Sequence, residues 1–316
     1  KTLLMHKAII TPIIALCAIE AIAHTTDSIK SQPSAIEITI GSAIGLATNA
    51  ATTEVLKYSI HEMRPDGSGN NSFPSRHSSW AFAASTLASN YLYRHSPWYS
   101  LGAQFIATGI GAQRIVARRH YASDVVAGSL LGIASAELGT FVARKIFGSG
   151  SGLSFYDVEN DFRTTVSMNT GAAYPLGSPS DAHLCAAYMA AVRAAIPIDG
   201  RWGVSASVRS FFTPVRYGAE VHPLTAAGIS AGAVTHLQLP LPALALQPHA
   251  EIGASWLTGA GAWRHSRMAF TAETGCTLSW RLTENFATGA TASFGLMTLP
   301  RAIGTFNVSI SSVAVF

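Results

Sequence analysis

Hydrophobic and polar positions follow two different rhythms along this chain. From Ser34 to Phe147 the apolar residues recur at helical spacing; beyond residue 152 they alternate with polar ones. In the first region Ser34 followed by Glu37 has capping-box spacing and opens an apolar run that Pro65 must end. A loop rich in Gly, Asn and Ser, Asp66 to Phe73, leads to a second helix over about 75–93, stopped before Pro97. A third helix is expected over 98–115 and a fourth over 123–147. These helices are Ala/Gly-rich on several sides, which permits close packing. Each apolar stretch is shorter or more interrupted than the ~20 residues of a spanning helix, so a buried bundle is the expectation, with membrane spans as the alternative. Gly148-Ser149-Gly150-Ser151-Gly152 reads as a flexible linker.

After the linker the period is two. Trp202, Val204, Ala206 and Val208 alternate with Gly203, Ser205, Ser207 and Arg209, and comparable runs lie near 246–256, 268–281, 286–296 and 306–316. Less regular strands near 162–174, 183–197 and 228–239 bring the count to eight. A soluble sandwich would turn the apolar face inward; a membrane barrel turns it out to lipid and keeps small polar residues and paired Arg/Glu inside. Three features favour the barrel. Connections are expected to be long after strands 1, 3 and 5, but short at 197–200, 239–242 and 282–285. Tyr174, Trp202, Phe212, Trp256, Trp280 and Phe286 sit at strand ends, as an interfacial girdle requires. The chain closes on Phe316 within an alternating strand. Short turns normally face the periplasm, which leaves residues 24–150 on that side. Arg193, Arg209, Glu251, Glu273, Arg267 and Arg281 face the lumen as an ion-paired filling, since eight strands leave room for side chains rather than a wide pore.

Composition agrees with this division. Charged residues make up 12% and hydrophobic ones 48%, which excludes disorder, a coiled coil and a nucleic-acid binder. Residues 1–150 carry 12 basic and 8 acidic side chains and all five lysines, whereas residues 151–316 carry 9 of each sign. Three cysteines are too few for a disulfide framework, and no CxxC or His/Cys cluster suggests a metal. The apolar run Ala8 to Ala23 follows Lys1 and Lys7 and ends in Ala21-Ile22-Ala23, the pattern of a signal peptide over residues 1–23. An uncleaved anchor is the alternative, because Glu20 is unusual there. A lipoprotein reading of Cys17 is weakened by Leu16, where a small residue is wanted.

Three blocks in the helical half carry candidate chemistry. Lys57 and Arg64 are seven positions apart, two helical turns, so both cations project from one face. Ser75, Arg76 and His77 follow Pro74 at a helix start, where free N–H groups and a partial positive end suit an anion such as phosphate. There His77 could give a proton to a leaving oxygen. Arg114, His120 and Asp124 form the third block, whose His-to-Asp spacing could place a carboxylate on one ring nitrogen and leave the other for attack. Each block alone could be an ordinary charged surface.

Together, in this order, the nine fixed positions from Lys57 to Asp124 resemble the signature of the type 2 phosphatidic acid phosphatase superfamily. The site is also similar to that of bacterial acid phosphatases and vanadium haloperoxidases. The resemblance covers about residues 40–124 and says nothing about 151–316. It implies that His120 is the nucleophile, forming a phosphohistidine and held by Asp124. His77 would be the general acid, and Lys57, Arg64, Ser75 and Arg114 would bind phosphoryl oxygens. Two positions depart from the pattern: Arg76 stands where a glycine is common and can add a cation, and Gln113 stands where a serine is often found. No cofactor or metal is called for, because fixed cations can neutralise a transferring phosphoryl group.

The expectation is therefore an all-α helical bundle followed by an eight-stranded antiparallel transmembrane β-barrel. Its divisions are a signal peptide (1–23), a helical phosphatase domain (24–147), a linker (148–152) and an outer-membrane barrel (153–316). The expected partners are outer-membrane lipids and a lipid phosphate substrate: phosphatidic acid, phosphatidylglycerophosphate, a polyprenyl diphosphate or a lipid A phosphate. The rival readings are a non-specific periplasmic acid phosphatase on soluble phosphomonoesters, a haloperoxidase, and a structural or transport barrel carrying an inactive domain. Oligomeric state is left open.

Overall fold

The computed structural model describes residues 33–92, 96–147, 160–177, 183–217, 220–259, 267–283, 286–298 and 302–316. The expected signal peptide and the glycine-serine linker lie outside the described residues. The chain divides into two compact units, Lys1–Asp157 and Val158–Phe316.

The first unit holds four helices: α1 (Ala35–Ser59), α2 (Arg76–Leu92), α3 (Pro97–Val116) and α4 (Ala122–Phe147). Their starts are where side chains can satisfy orphan N–H groups. Ser34 Oγ accepts from the Glu37 N–H at 3.2 Å, and Ser96 caps α3 with Pro97 in its first turn. α2 and α4 each begin after a buried polar anchor, Ser75 and His120.

α2 and α4 bury Phe82, Leu87, Val125 and Ile133 as an ordinary bundle does, but α1 packs the other way round. The buried face of α1 is Glu37, Gly41, Gly45, Asn49, Thr53 and Lys57, one residue every fourth position, while Tyr58 is 78% exposed. α3 buries Ser100, Gln104 and Thr108 alongside Leu101, Ala107 and Ile115 and exposes Phe105, Ile106 and Ile110. The buried polar groups satisfy one another: Ser79 Oγ donates to Asn49 Oδ1 and lies 2.8 Å from Thr53 Oγ1, and Ser85 Oγ donates to Gln104 Oε1 at 2.8 Å. Glycines let α4 approach closely. A Cβ at Gly128 would meet the Ser75 carbonyl, and one at Gly132 the Ser79 carbonyl, so both positions must lack a side chain for α4 to lie against α2. α4 is long and apolar enough to cross a membrane, contrary to the expectation that every stretch falls short, and 78% of its apolar window is buried within the unit.

The second unit is a closed barrel of eight long antiparallel strands: β1 (Thr165–Pro175), β2 (Ala187–Pro197), β3 (Trp202–Tyr217), β4 (Glu220–Thr235), β5 (Leu244–Thr258), β6 (Arg267–Thr283), β7 (Phe286–Thr298) and β8 (Ala302–Val315). Each pairs with its sequence neighbours, and β1 closes on β8 from Thr165↔Val315 to Pro175↔Thr305. Two-residue pieces at 183–184 and 237–238 pair with β3 and β5. The alternation read from sequence holds in space. Val204, Val208, Ile252, Phe270 and Phe294 point outward and are exposed, and Ser205, Ser207, Arg209, Glu251, Glu273, Ser293 and Asn307 are buried inside.

Two features correct the expectation. The connection after β3 is not long: β3 and β4 continue as a paired hairpin to Tyr217↔Glu220. Pro214 and Pro223, which cannot donate to a ladder, hide this continuation in the sequence, and the fold places both missing donors at one rung. Among the girdle residues, Tyr174, Trp202 and Trp256 are exposed near strand ends, but Phe286 is buried.

The lumen is held by a charged quartet. Arg209 reaches Glu251 Oε2 at 2.6 Å and Glu273 Oε2 at 2.5 Å, and Arg193 reaches Glu251 Oε1 at 2.8 Å. Ser205, Ser207 and Ser230 each donate to Glu251, and Asn307 donates to Glu273. At the end with the short turns, Asn160 donates to the Ala243 carbonyl, Phe162 stacks on His236 and Arg281 pairs with Asp161. The side chain of Arg267 lies outside the described residues.

Candidate active site

The C-terminal end of α1 brings Lys57 to the site. Its buried ammonium donates to the Asn71 carbonyl at 2.8 Å, and Asn71 Oδ1 also accepts from Arg64 Nε at 3.1 Å. One loop residue therefore fixes two cations. These side chains, with Glu54, Tyr58, His61 and Arg76, line an open cavity of about 420 Å³. Burial, followed by the neighbouring charges of Arg76 and Arg64, pushes the Lys57 ammonium down to about 8.

α2 supplies Ser75, Arg76 and His77. The Ser75 hydroxyl is fully buried; it accepts from Ser78 Oγ at 3.0 Å, and the Ser75 N–H donates to the Asp124 carbonyl at 2.9 Å. Its place is thus the cap of α2. Arg76 turns to Glu54, at 2.6 Å, with half of its side chain in solvent. His77 is exposed. Its imidazole is lowered from the ordinary histidine value, first by the partial desolvation of its inner side and then by Arg114, His120, Arg76 and Arg64. Those four groups come from three separate segments, so the sequence blocks converge on His77.

The loop between α3 and α4 completes the arrangement. The Arg114 Nε donates to Gln113 Oε1 at 2.6 Å, so the residue that departs from the family pattern holds a cation in place. The chain then turns at Arg118 with φ of 55°, in the left-handed region, and Arg119 pairs with Asp66 at 3.0 Å. His120 is buried. Its Nδ1 lies 2.7 Å from the Ser72 carbonyl and 3.8 Å from Asp124 Oδ2. A carbonyl can only accept, so Nδ1 carries a proton, and in the neutral ring Nε2 holds the lone pair. The direct hydrogen bond of Nδ1 goes to Ser72, and the Asp124 carboxylate expected from the spacing lies within ion-pair distance of the same nitrogen. Asp124 acts one step back, with Oδ2 accepting from Ser72 Oγ at 2.5 Å and from the Tyr121 N–H at 2.9 Å.

All eight site residues expected from the sequence therefore surround one region of the helical unit. Asn71, Ser72 and the aligning role of Gln113 were not readable from it. Two of those contacts use main-chain carbonyls, which every residue possesses and no motif marks. Among the described residues no three His, Cys, Asp or Glu side chains are grouped to hold a metal ion.

The comparison with known proteins agrees with this geometry. Residues 39–146 match the family described as the PAP2 superfamily. These residues form a PAP2 domain. It includes every side chain of the site from Lys57 to Asp124. The chain is also 36% identical over 139 residues to a protein of Porphyromonas gingivalis named Lipid A 1-phosphatase. That match covers 43% of this chain and 31% of the relative, so the chain spans about a third of the relative's length. The barrel is similar in fold to Neisserial surface protein A (12% identity, TM-score 0.37, 50% of this chain and 100% of that one). It is also similar to Ail of Yersinia pestis (14% identity, TM-score 0.32, 49% and 99%).

Proposed function

We propose that the PAP2 domain hydrolyses a membrane lipid phosphate through a phosphohistidine on His120, and that the barrel anchors it in a bacterial outer membrane with the domain in the periplasm. The observation that carries the mechanism is the 2.7 Å contact between His120 Nδ1 and the Ser72 carbonyl. With Nδ1–H donating to the Ser72 carbonyl, the Nε2 lone pair is free to attack phosphorus. The P–O bond to the lipid breaks, and the departing oxygen takes the proton of His77. Water then attacks the phosphorus, the P–N bond breaks, and inorganic phosphate leaves. His77, now neutral, accepts the proton of that water. Asp124, 3.8 Å from Nδ1, offsets the positive charge that the ring acquires on phosphorylation.

The cations suit this task because neutral groups hold them. Lys57, Arg64 and Arg114 donate to a carbonyl and two amide oxygens, so their charge is not cancelled by those partners and can meet a phosphoryl group. The lipid substrate is supported by the exposed apolar faces of α1 and α3, which suit an acyl environment better than water, where each such side chain costs about 1.5–3 kcal/mol. Among the lipid phosphates considered, the Porphyromonas relative favours a lipid A phosphate. Membrane insertion of the barrel is supported by its outward Val, Ile, Phe and Trp side chains around a charged, ion-paired interior.

The test is phosphate release by the full chain in detergent or bilayer discs, in chelator, across a panel of lipid phosphates and a soluble phosphomonoester. Release from a lipid phosphate that disappears in His120→Ala is the expected result. Equal turnover of the soluble ester would favour the non-specific acid phosphatase, and activity retained in His120→Ala would reject the mechanism.

A further inference from the structure

The barrel interior changes character along its axis. Below the charged quartet, toward the short turns, the lumen is mixed, with Ser167, Asn169, Thr277, Ser279 and Ser311 facing in beside the small apolar cluster Ala287, Val313 and Val315. Above it, toward the opposite end, the wall becomes apolar. Val215, Leu224, Ala226, Leu257 and Ala269 are buried there as one cluster, with Phe211 and Met297 packed against it. The cluster does not fill its space. It leaves a cavity of about 80 Å³, several times the roughly 10–15 Å³ that one water needs.

The floor of this cavity is the Arg209–Glu273 ion pair. Both charges are paired, Arg209 by Glu251 and Glu273, and Glu273 by Arg209 and Asn307; the Arg209 Nε–H alone is left without a hydrogen-bond partner. The Thr213 hydroxyl on the wall is likewise committed, donating to the Cys185 carbonyl at 2.8 Å. The deep end therefore offers an incoming molecule neither an uncancelled charge nor that hydroxyl. Water gains little in such a place, and a charged headgroup would lose its hydration without a partner. On β3 the wall runs from Arg209 to Thr213, roughly 13 Å along a strand that is tilted in a barrel of this size, so the cup is about 10 Å deep.

We propose that this apolar cup is a binding site for an alkyl chain, which enters tail first and comes to rest on the ion-paired floor. It is independent of the phosphatase reading. The chain could belong to a free aliphatic molecule or to a lipid tail, and the same protein can tell these apart. Met297 reports from the cup, while Met268, at 59% exposure, reports from the outer face of the barrel. The full chain, with 13C-methyl methionine, is placed in discs of deuterated lipid and titrated with 1-octanol. Met297→Leu assigns the reporter signal. A saturable shift at Met297, with at most a linear drift at Met268, is the expected result. Transfer of magnetisation to Met297 from protonated lipid chains, without octanol, would instead assign the occupant as a lipid tail. Ala226→Trp should fill the cup and raise the octanol half-saturation by at least about tenfold. Ala173→Leu serves if the tryptophan variant loses the folded mobility on an unheated gel. If Met297 responds neither to octanol nor to lipid chains, or drifts only in parallel with Met268, the proposal is wrong.

Discussion

Both units of this chain bury charged and polar side chains, yet they use their charges in opposite ways. In the barrel, Arg193, Arg209, Glu251 and Glu273 cancel one another within a few ångströms. In the PAP2 domain, Lys57, Arg64 and Arg114 are held by amide and carbonyl oxygens, which fix position and leave charge. Only the second arrangement is ready for an anion. What separates a filling from a candidate site is thus the formal charge of whatever holds the cations, rather than how many there are.

The largest effect that tests this contrast is on chemistry. His120→Ala should lower phosphate release by on the order of a thousandfold or more, measured as released phosphate per folded protein. Arg209→Met should leave that rate unchanged in the folded fraction, because its charge is already spent on two carboxylates. The barrel variant should pay in stability instead. Arg209→Met alone leaves excess buried acid and should cost about 3–5 kcal/mol, read from the urea midpoint of the folded gel band. Adding Glu273→Met, which restores the charge balance, should recover a substantial part of that loss. If the double variant is worse than the single, the quartet is not a self-cancelling unit.

Smaller effects should appear in pH dependence. Lys57 loses its charge as pH rises through about 8, so affinity for vanadate as a phosphate mimic should weaken by about tenfold above that point. Lys57→Arg should remove this limb from a binding titration. The His77 imidazole lies below its ordinary value, so the protonated acid is lost as pH rises. Activity per unit of enzyme should therefore be higher at pH 5–6 than at pH 8, and His77→Asn should flatten that dependence while lowering the rate. The smallest effect concerns Arg76, the one site cation tied to a carboxylate that lines the same cavity. Glu54→Gln should release it and tighten substrate binding by about two- to fivefold, seen in KM.

Much of this architecture is legible in the sequence because its signals are local. Ser34, three residues ahead of Glu37, starts α1 through its own hydroxyl, and strict alternation in β3 and β5–β8 tells inside from outside. The β3–β4 extension was lost because Pro214 and Pro223 break the pattern in one dimension and only cancel when paired in space. In the site, the motif located His120 and Asp124, but not the Ser72 carbonyl that takes the Nδ1 hydrogen bond. Spacing can suggest that the Asp124 side chain comes near, whereas nothing in a sequence ranks a carboxylate against the main-chain oxygen of Ser72. The inverted exterior of α1 was also hidden, since an apolar helix looks the same whichever side it buries.

That helix has one more consequence. Because the notches at Gly41 and Gly45 and the polar teeth at Asn49 and Thr53 lie in line with Lys57, they act as a key that sets its rotation. Advancing by a single residue would turn the rod by about 100°, withdraw the ammonium and present the Tyr58 ring in its place. A methyl group added at Gly45, some three turns away, should therefore be felt at the candidate site as a misaimed cation.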